Sequence, residues 1–143
     1  MRTVEFSTTT TLPAPADVVF DHLADPSNHL GLSPVSVEVR DIRRGPHEAR
    51  YTVVELFKFG PLSRRNVIDV TLRLGDGVIT GDVVSPGGVR IEWGYRFVPV
   101  PGGTDLVDHY RLSAPFGLLR FSMSQAKKVQ VARGQELVRR FQA

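Results

Sequence analysis

Residues 89–117, VRIEWGYRFVPVPGGTDLVDHYRLSAPFG, decide the fold of this 143-residue chain. Apolar side chains alternate with polar residues or glycine from 89 to 97, which is the period-two pattern of a half-buried β-strand. The Pro-Gly-Gly turn at 101–103 leads into a second strand, and residues 114–117 open a long terminal helix. A meander of strands closed by one long helix predicts a sheet that wraps around that helix and leaves a hollow between them.

The chain upstream of this stretch supplies the rest of the sheet. The threonine-rich segment 3–12 predicts an opening strand, because β-branched residues favour the pleated surface. Pro15 and then Asp25-Pro26 mark the starts of two short helices, 16–24 and 26–30. Four more alternating segments follow before residue 89, separated by turns rich in glycine and proline. The predicted order is strand, two short helices, six strands and a long helix.

Composition narrows the functional classes. The chain has a formal net charge of +3 and no cysteine, so it offers neither a disulfide framework nor a thiolate metal site. Its basic residues fall in scattered pairs rather than along one face with stacking aromatics, so we expect no nucleic-acid partner. A contact of these cations with anionic lipid headgroups stays open. No apolar run approaches the length of a membrane span and no secretory signal is visible, so we expect a cytoplasmic protein.

The terminal helix, predicted over 117–141, carries one stripe at helical spacing. The stripe consists of Leu119, Met123, Ala126, Gln130, Gly134, Leu137 and Phe141. Gln130 is polar inside this stripe, and Gly134 costs about 1 kcal/mol relative to alanine in a helix interior. Two interpretations remain open: the stripe lines a partly polar cavity, or Gln130 is a core glutamine and Gly134 marks a close contact between helix and sheet.

The element order and three short stretches together resemble a known superfamily. The stretches are LPAPADVVFDHLADP at 12–26, WGYRF at 93–97 and GTDL at 103–106. They are similar to the START-like (SRPBCC) helix-grip proteins, which include birch-pollen-allergen-like proteins and the polyketide cyclase/dehydrase and lipid-transport proteins. The resemblance spans nearly the whole chain. It implies an α+β fold, one domain over 1–143, in which a seven-stranded antiparallel sheet grips the last helix around a ligand cavity. It brings no catalytic motif.

Strand parity identifies the side chains that would line such a cavity. The candidates for ligand binding are Tyr51, Phe57, Phe59, Asn66, Ile68, Trp93, Tyr95, Asp108, Tyr110, Phe116, Leu119, Met123 and Gln130. This mixture of aromatic and aliphatic side chains with a few polar groups is typical of a small-molecule pocket, although the same aromatic residues also suit an ordinary core. Asp108 and Glu55 are the carboxylates with inward parity, and if buried they need partners such as tyrosine hydroxyls or a ligand.

The turns after the third, fifth and seventh strands should lie at one end of the sheet. These turns are Phe57–Leu62, Ser85–Gly88 and Ala114–Leu118, and the first and last are unusually apolar for loops. Lys58, Arg64 and Arg65 flank them. We predict an opening near Phe59, Phe116 and Leu118, with local packing under the helix start as the alternative.

Three functions are compatible with these features. The first is binding of a hydrophobic small molecule such as a lipid, polyketide or aromatic compound, without cofactor or covalent chemistry. The second is a polyketide cyclase or dehydratase, in which Asp108 or Glu55 would act as acid or base and Tyr95 or Tyr110 as hydrogen-bond donor. The third is a non-catalytic protein-interaction module. The four histidines lie in separate elements without metal-ligand spacing, so we expect no metal; the oligomeric state stays open.

Overall fold

The structure is a computed structural model that describes residues 2–85 and 88–142; the side chains of Phe59, Val84 and Ser85 fall outside this description. Its elements in chain order are β1 (Arg2–Leu12), α1 (Ala16–Ala24), a 3-10 helix (Pro26–His29), β2 (Ser36–Arg44), β3 (Glu48–Phe59), β4 (Leu62–Leu74), β5 (Val78–Ser85), β6 (Val89–Val100), β7 (Gly103–Ala114) and α2 (Leu119–Phe141). This order confirms the predicted one. The terminal helix begins at Leu119 rather than at residue 117.

All seven strands form one antiparallel sheet in the order β1-β7-β6-β5-β4-β3-β2. The chain therefore runs as a meander from β2 to β7, and β1 pairs with β7 at the far edge. β2 is irregular: its pairing with β3 shifts between Arg40 and Arg43, and Asp41 there has a φ of 55°. Such a bulge bends an edge strand and increases its twist. The fold class is the predicted α+β helix grip.

The short helices close one end of the sheet. Asp25 caps the 3-10 helix, where its Oδ1 accepts a hydrogen bond of 3.0 Å from the backbone N–H of Ser27. Phe20 of α1 packs edge-on against Phe97 of β6, with ring centroids 5.3 Å apart. The C-terminal end of α2 joins the same closed end, because Arg140 donates to the backbone oxygens of Asn28 and Leu30 at 2.6 and 2.9 Å.

The long helix α2 lies on the concave face of the sheet, mainly against β1 and β7. Gly134 permits the close approach, because a Cβ there would meet the Thr10 hydroxyl oxygen at 2.7 Å. The helix therefore covers one side of the concave face, and the concave side of β2 to β6 curves past it around open space. Among the described residues, no helix is long and apolar enough to cross a bilayer.

Candidate functional site

A cavity of about 390 Å³ lies between α2 and the concave side of β2 to β6. Its wall is mostly aliphatic and aromatic, and this volume lies in the range of small-molecule pockets. It runs from the closed end, where His29 lies, to the opposite end of the sheet, where Phe57, Arg64, Leu118 and Phe121 form its mouth.

Strand parity places most of the sequence-predicted residues on the cavity wall. Those that line it are Tyr51, Phe57, Asn66, Ile68, Trp93, Tyr95 and Tyr110, together with Glu55. Successive inward positions of one strand bring them together: Tyr51, Glu55 and Phe57 all come from β3, for example. The structure brings these groups together around one space; their role in binding a ligand stays a prediction.

Five other predicted residues do not line the cavity. Leu119 and Met123 pack against a smaller apolar cluster with Val89, Leu112 and Ala114. Phe116 is 91% exposed and points away from the interior. Gln130 and Asp108 are buried against each other between α2 and β7, and the Gln130 amide donates to the Asp108 backbone oxygen at 3.1 Å. The side chain of Phe59 and the turn residues at 86–87 lie outside the described residues.

Most of the helical stripe thus packs away from the cavity, although its member Ala126 also lines the space. The adjoining face of α2 supplies the other lining residues, Ser122, Gln125, Val129 and Arg133. Gln130 and Gly134 are therefore packing positions between the helix and the sheet. Neither of them lines the cavity. The cavity face is mixed in polarity because it borders a partly open space instead of a packed core, so hydrophobic periodicity did not reveal it.

Arg133 is the charged residue on the cavity wall that sequence reasoning missed. Its Nε donates to Asp108 Oδ2 at 2.8 Å and its Nη2 to the Tyr110 hydroxyl at 2.6 Å. The guanidinium carbon lies 5.4 Å from the ring centroid of Tyr95 and 5.2 Å from that of Tyr110. Only 10% of the Arg133 side chain and 6% of the Asp108 side chain are exposed, so this is a buried ion pair at the cavity wall.

The ion pair answers the question of how Asp108 is compensated. We expected a tyrosine hydroxyl or a ligand as its partner, and the structure supplies a guanidinium from the helix instead. A signal was present in the chain, because Arg133 lies seven residues after Ala126 and so returns to the same helix face. Asp108 is bonded to Arg133 and is not among the residues that line the cavity; a role as acid or base stays a prediction.

His29 and Tyr51 form a second polar group on the wall at the closed end. The His29 Nε2 lies 2.6 Å from the backbone oxygen of Leu23, and its Nδ1 lies 3.2 Å from the Tyr51 hydroxyl. A carbonyl oxygen only accepts, so Nε2 carries the proton and Nδ1 accepts from Tyr51 in the neutral ring. Burial, with a smaller contribution from the charge of Arg133, lowers the pKa of His29 to about 4. The ring is therefore neutral at pH 7.

Glu55 is the carboxylate that does line the cavity. It faces Asn66 across the β3–β4 pair. Burial raises the pKa of Glu55, and a side-chain hydrogen bond with Asn66 partly opposes that rise. A wall carboxyl with a raised pKa can exchange a proton with a bound molecule at a pH closer to neutral than an exposed glutamate can.

Trp93 owes its position to a glycine on the neighbouring strand. Gly81 pairs directly with Trp93 across β5 and β6. A Cβ at Gly81 would lie 2.2 Å from the indole ring, so the ring rests on bare backbone. Its edge then reaches the cavity beside Tyr95, with ring centroids 5.2 Å apart.

The described residues of the site offer oxygen and nitrogen groups to a ligand. Within residues 2–85 and 88–142, no three histidine, aspartate or glutamate side chains come close enough together to hold a metal ion. What the arrangement provides is an apolar wall with a cation and hydroxyl groups toward the closed end and a carboxyl nearer the mouth.

Solved structures share this fold across almost the whole chain. An aromatase/cyclase named Zhui from a Streptomyces species superimposes with a TM-score of 0.77 at 18% identity, covering 99% of this chain and 98% of its own. The di-domain aromatase/cyclase StfQ of the steffimycin biosynthetic pathway gives a TM-score of 0.79 at 11% identity, over 97% of this chain and 50% of its own. A norcoclaurine synthase from Thalictrum gives 0.68 at 13% identity, with 99% and 98% covered.

At these identities the structural likeness establishes the fold alone. No curated protein matches the chain significantly in sequence. The sequence profile of one family does match, over residues 3–143, and that family is described as polyketide cyclase/dehydrase and lipid transport. Because the match spans nearly the whole chain, this protein belongs to the polyketide cyclase/dehydrase and lipid transport family.

Proposed function

We propose that this protein binds an amphipathic, largely apolar small molecule of the polyketide, aromatic or lipid type in the cavity beneath α2. The observation that carries the proposal is the cavity itself, about 390 Å³ in volume, with an apolar wall and polar groups toward the closed end. Apolar walls bind by removing hydrocarbon surface from water, and a few fixed polar groups set the orientation. We place this activity in the cytoplasm.

Arg133 would orient the ligand. A guanidinium has five N–H donors, and two of its nitrogens are engaged by Asp108 and Tyr110. Because Arg133 lines the cavity, its remaining donors would suit a carbonyl, phenolate or carboxylate oxygen of the ligand. The ligand would therefore enter with its oxygen-bearing end first and leave its apolar body against Trp93 and Ile68.

A fluorescence titration tests this function, because Trp93 is the only tryptophan and lies on the wall. Two probes of nearly the same shape should be compared: anilinonaphthalene sulfonate, which is anionic, and phenylnaphthylamine, which is neutral. We expect both to quench or shift the Trp93 emission, and the sulfonate to bind more tightly. An unchanged emission with both probes would contradict the proposal.

A matched pair of variants on β4 locates the binding. Ile68→Phe adds volume inside the cavity, whereas Val67→Phe adds a similar volume on the outer face, where Val67 is 52% exposed. We expect Ile68→Phe to weaken probe binding about tenfold and Val67→Phe to leave it unchanged. Equal effects of the two changes would place the probe elsewhere on the protein.

A cyclase or dehydratase activity is the second candidate, and Glu55 favours it. Tyr51 and Glu55 lie on the same face of β3 about 13 Å apart along the strand, so a chain-like substrate would span them. The Glu55 carboxylate would take a proton from a carbon next to a carbonyl. That carbon would then form a bond to a second carbonyl carbon, whose oxygen takes up a proton.

The Glu55→Gln variant separates the two candidates. It keeps the shape of the side chain and removes the base. A cyclase should then lose ring closure of a linear poly-β-ketone, measured as the aromatic absorbance that appears after ring closure and loss of water, while still binding the probes. Turnover retained in Glu55→Gln would exclude this role for Glu55. Wild-type protein that binds the substrate without converting it would support the carrier function.

A further inference from the structure

The cavity mouth carries exposed apolar side chains on two separate segments. Phe116, in the loop before α2, is 91% exposed, and Leu62, at the β3–β4 turn, is 71% exposed. Leu118 and Phe121 at the start of α2 are 40% and 46% exposed. We call these four residues the apolar rim. Single exposed apolar residues are ordinary, but four around one opening are not.

Basic residues surround the apolar rim. Three of the segments at this end, 57–65, 88–90 and 114–121, contain Lys58, Arg64, Arg65, Arg90 and Arg120 and no aspartate or glutamate. All five side chains are exposed, and none forms an ion pair within the described part of the chain. Several other surface cations are paired, as Arg44 is with Asp25 and Arg73 with Asp82, whereas Arg43 and Arg96 at the opposite end are unpaired within the described residues. Positive charge at the mouth is therefore uncompensated.

We propose that the apolar rim and its five cations form a docking surface for an anionic lipid bilayer. Cations near a membrane surface are attracted by acidic headgroups, and apolar side chains that project among them reach the hydrocarbon boundary. Phe116 lies in the loop before α2 and Leu62 next to the β3–β4 turn, so the two most exposed rim side chains project from separate segments, which suits insertion between lipids better than the flat complementary contact of a protein interface. The partner is a membrane surface, and the chain rests on it without spanning it.

This docking would connect the bilayer directly with the cavity. Leu118, Phe121 and Arg64 belong both to the rim region and to the cavity wall. An apolar molecule dissolved in the membrane could then pass into the cavity without crossing water. Docking involves the outer surface of the mouth and does not depend on a bound ligand, so it can be measured on the protein alone.

Vesicle co-sedimentation tests the docking surface. The full chain is mixed with vesicles of phosphatidylcholine alone, or with about one-third phosphatidylglycerol, at low and at high salt. We expect binding to the anionic vesicles only, and its loss at high salt, because screening shortens the reach of surface charges. Absence of binding to the anionic vesicles at low salt would overturn the proposal. The Trp93 fluorescence titration with the soluble probes would still test ligand binding in the cavity separately.

Matched charge reversals test the location. The double change Arg65→Glu with Arg120→Glu should lower partitioning onto anionic vesicles about tenfold or more. The control, Arg43→Glu with Arg96→Glu, alters net charge equally at the opposite end of the sheet, where both residues are exposed. The control should retain most of the binding. Equal losses in the two double variants would show attraction by net charge alone and would overturn the assigned surface.

Insertion is tested at Phe116. Phe116→Ala should lower partitioning at least about tenfold, whereas Val98→Ala, 43% exposed at the other end, should not. A variant that combines W93F with F116W has its only tryptophan at the rim. We expect brominated lipids to quench the fluorescence of that tryptophan if it inserts into the bilayer. Charge-dependent binding with neither quenching nor sensitivity to Phe116→Ala would indicate a surface that recognises an acidic macromolecule without insertion, and would overturn the membrane assignment.

Discussion

The two ends of the cavity differ in whether their polar groups are bonded to one another and whether their apolar side chains are buried. At the closed end, charged and hydroxyl groups are buried and bonded to one another, as Arg133 is with Asp108 and Tyr110. At the mouth, cations are unpaired and apolar side chains such as Phe116 are exposed. Substitutions at the closed end should therefore change stability strongly, whereas substitutions at the mouth should change it little and act on interactions with other molecules.

The largest effect is expected from breaking the buried ion pair. Arg133→Met leaves the Asp108 carboxylate buried without a counter-charge, so the free energy of unfolding should fall by about 3–5 kcal/mol. Chemical denaturation measures this. Adding Asp108→Leu removes the orphaned charge and should recover at least half of the loss. If the loss in the double variant equals the sum of the losses in the Arg133→Met and Asp108→Leu single variants, the two residues are not coupled.

The next largest effect is the loss of stability in acid that follows from protonation of His29. Because its pKa is lowered from 6.5 to about 4 in the folded protein, the fold favours the neutral ring. This contribution is fully present above pH 6.5 and is lost as the pH falls toward 4, by up to about 3 kcal/mol. His29→Gln should flatten the rise of unfolding free energy with pH across this window.

Two other groups with shifted pKa values, His22 and Glu55, also affect the pH dependence and supply controls. Burial also lowers the pKa of His22, so it contributes with the same sign, whereas the raised pKa of Glu55 contributes with the opposite sign. His22→Gln should therefore reduce the slope less than His29→Gln does. A slope that is unchanged in His29→Gln would refute the assignment of acid sensitivity to this ring.

A moderate effect is expected where Trp93 rests on Gly81. Gly81→Ala places a methyl group into the indole ring, so the ring must move, at a cost of about 1–3 kcal/mol and with a shifted emission. Gly94→Ala is the control, because its nearest contacts at 3.6 and 3.7 Å are ordinary. If both variants melt at the same temperature and keep the native emission, the close contact at Gly81 does not hold the indole.

The smallest effect is expected at the mouth. Phe116 is 91% exposed, so Phe116→Ala should change the free energy of unfolding by no more than about 0.5 kcal/mol. Thermal and chemical denaturation measure it. A loss above about 2 kcal/mol would mean that Phe116 is packed in the folded protein, and the contrast between the two ends would then fail.

The strands were predictable because their physics is local. A period of two places Tyr51, Glu55 and Phe57 on one face of β3 whatever the rest of the chain does, and these residues line the cavity. Turn residues such as those at 101–103 separate the strands, and the order of elements then limits the sheet to a meander. The apolar character of the candidate site could thus be predicted from the sequence.

The packing of the terminal helix was less predictable than the strands. Periodicity identifies its buried face but does not show which part of the sheet that face packs against. Leu119, Met123 and Gln130 are packed as the stripe indicates, yet against β1 and β7 and not over the cavity. The face that borders the cavity is amphipathic, because one side of it meets open space. Its arginine therefore resembled ordinary surface charge in the sequence.

The sequence by itself determined the order of the elements, the inward faces of the strands and the apolar, aromatic wall of the cavity, because each follows from contacts between near neighbours in the chain. Only the tertiary structure decided that α2 covers β1 and β7, that Arg133 finds Asp108 across 25 positions, and that His29 meets Tyr51 across 22. These pairings depend on how a curved sheet and a helix approach each other. A buried charge is tolerated only where the packing of helix against sheet places a partner beside it. No local sequence pattern specifies that pairing.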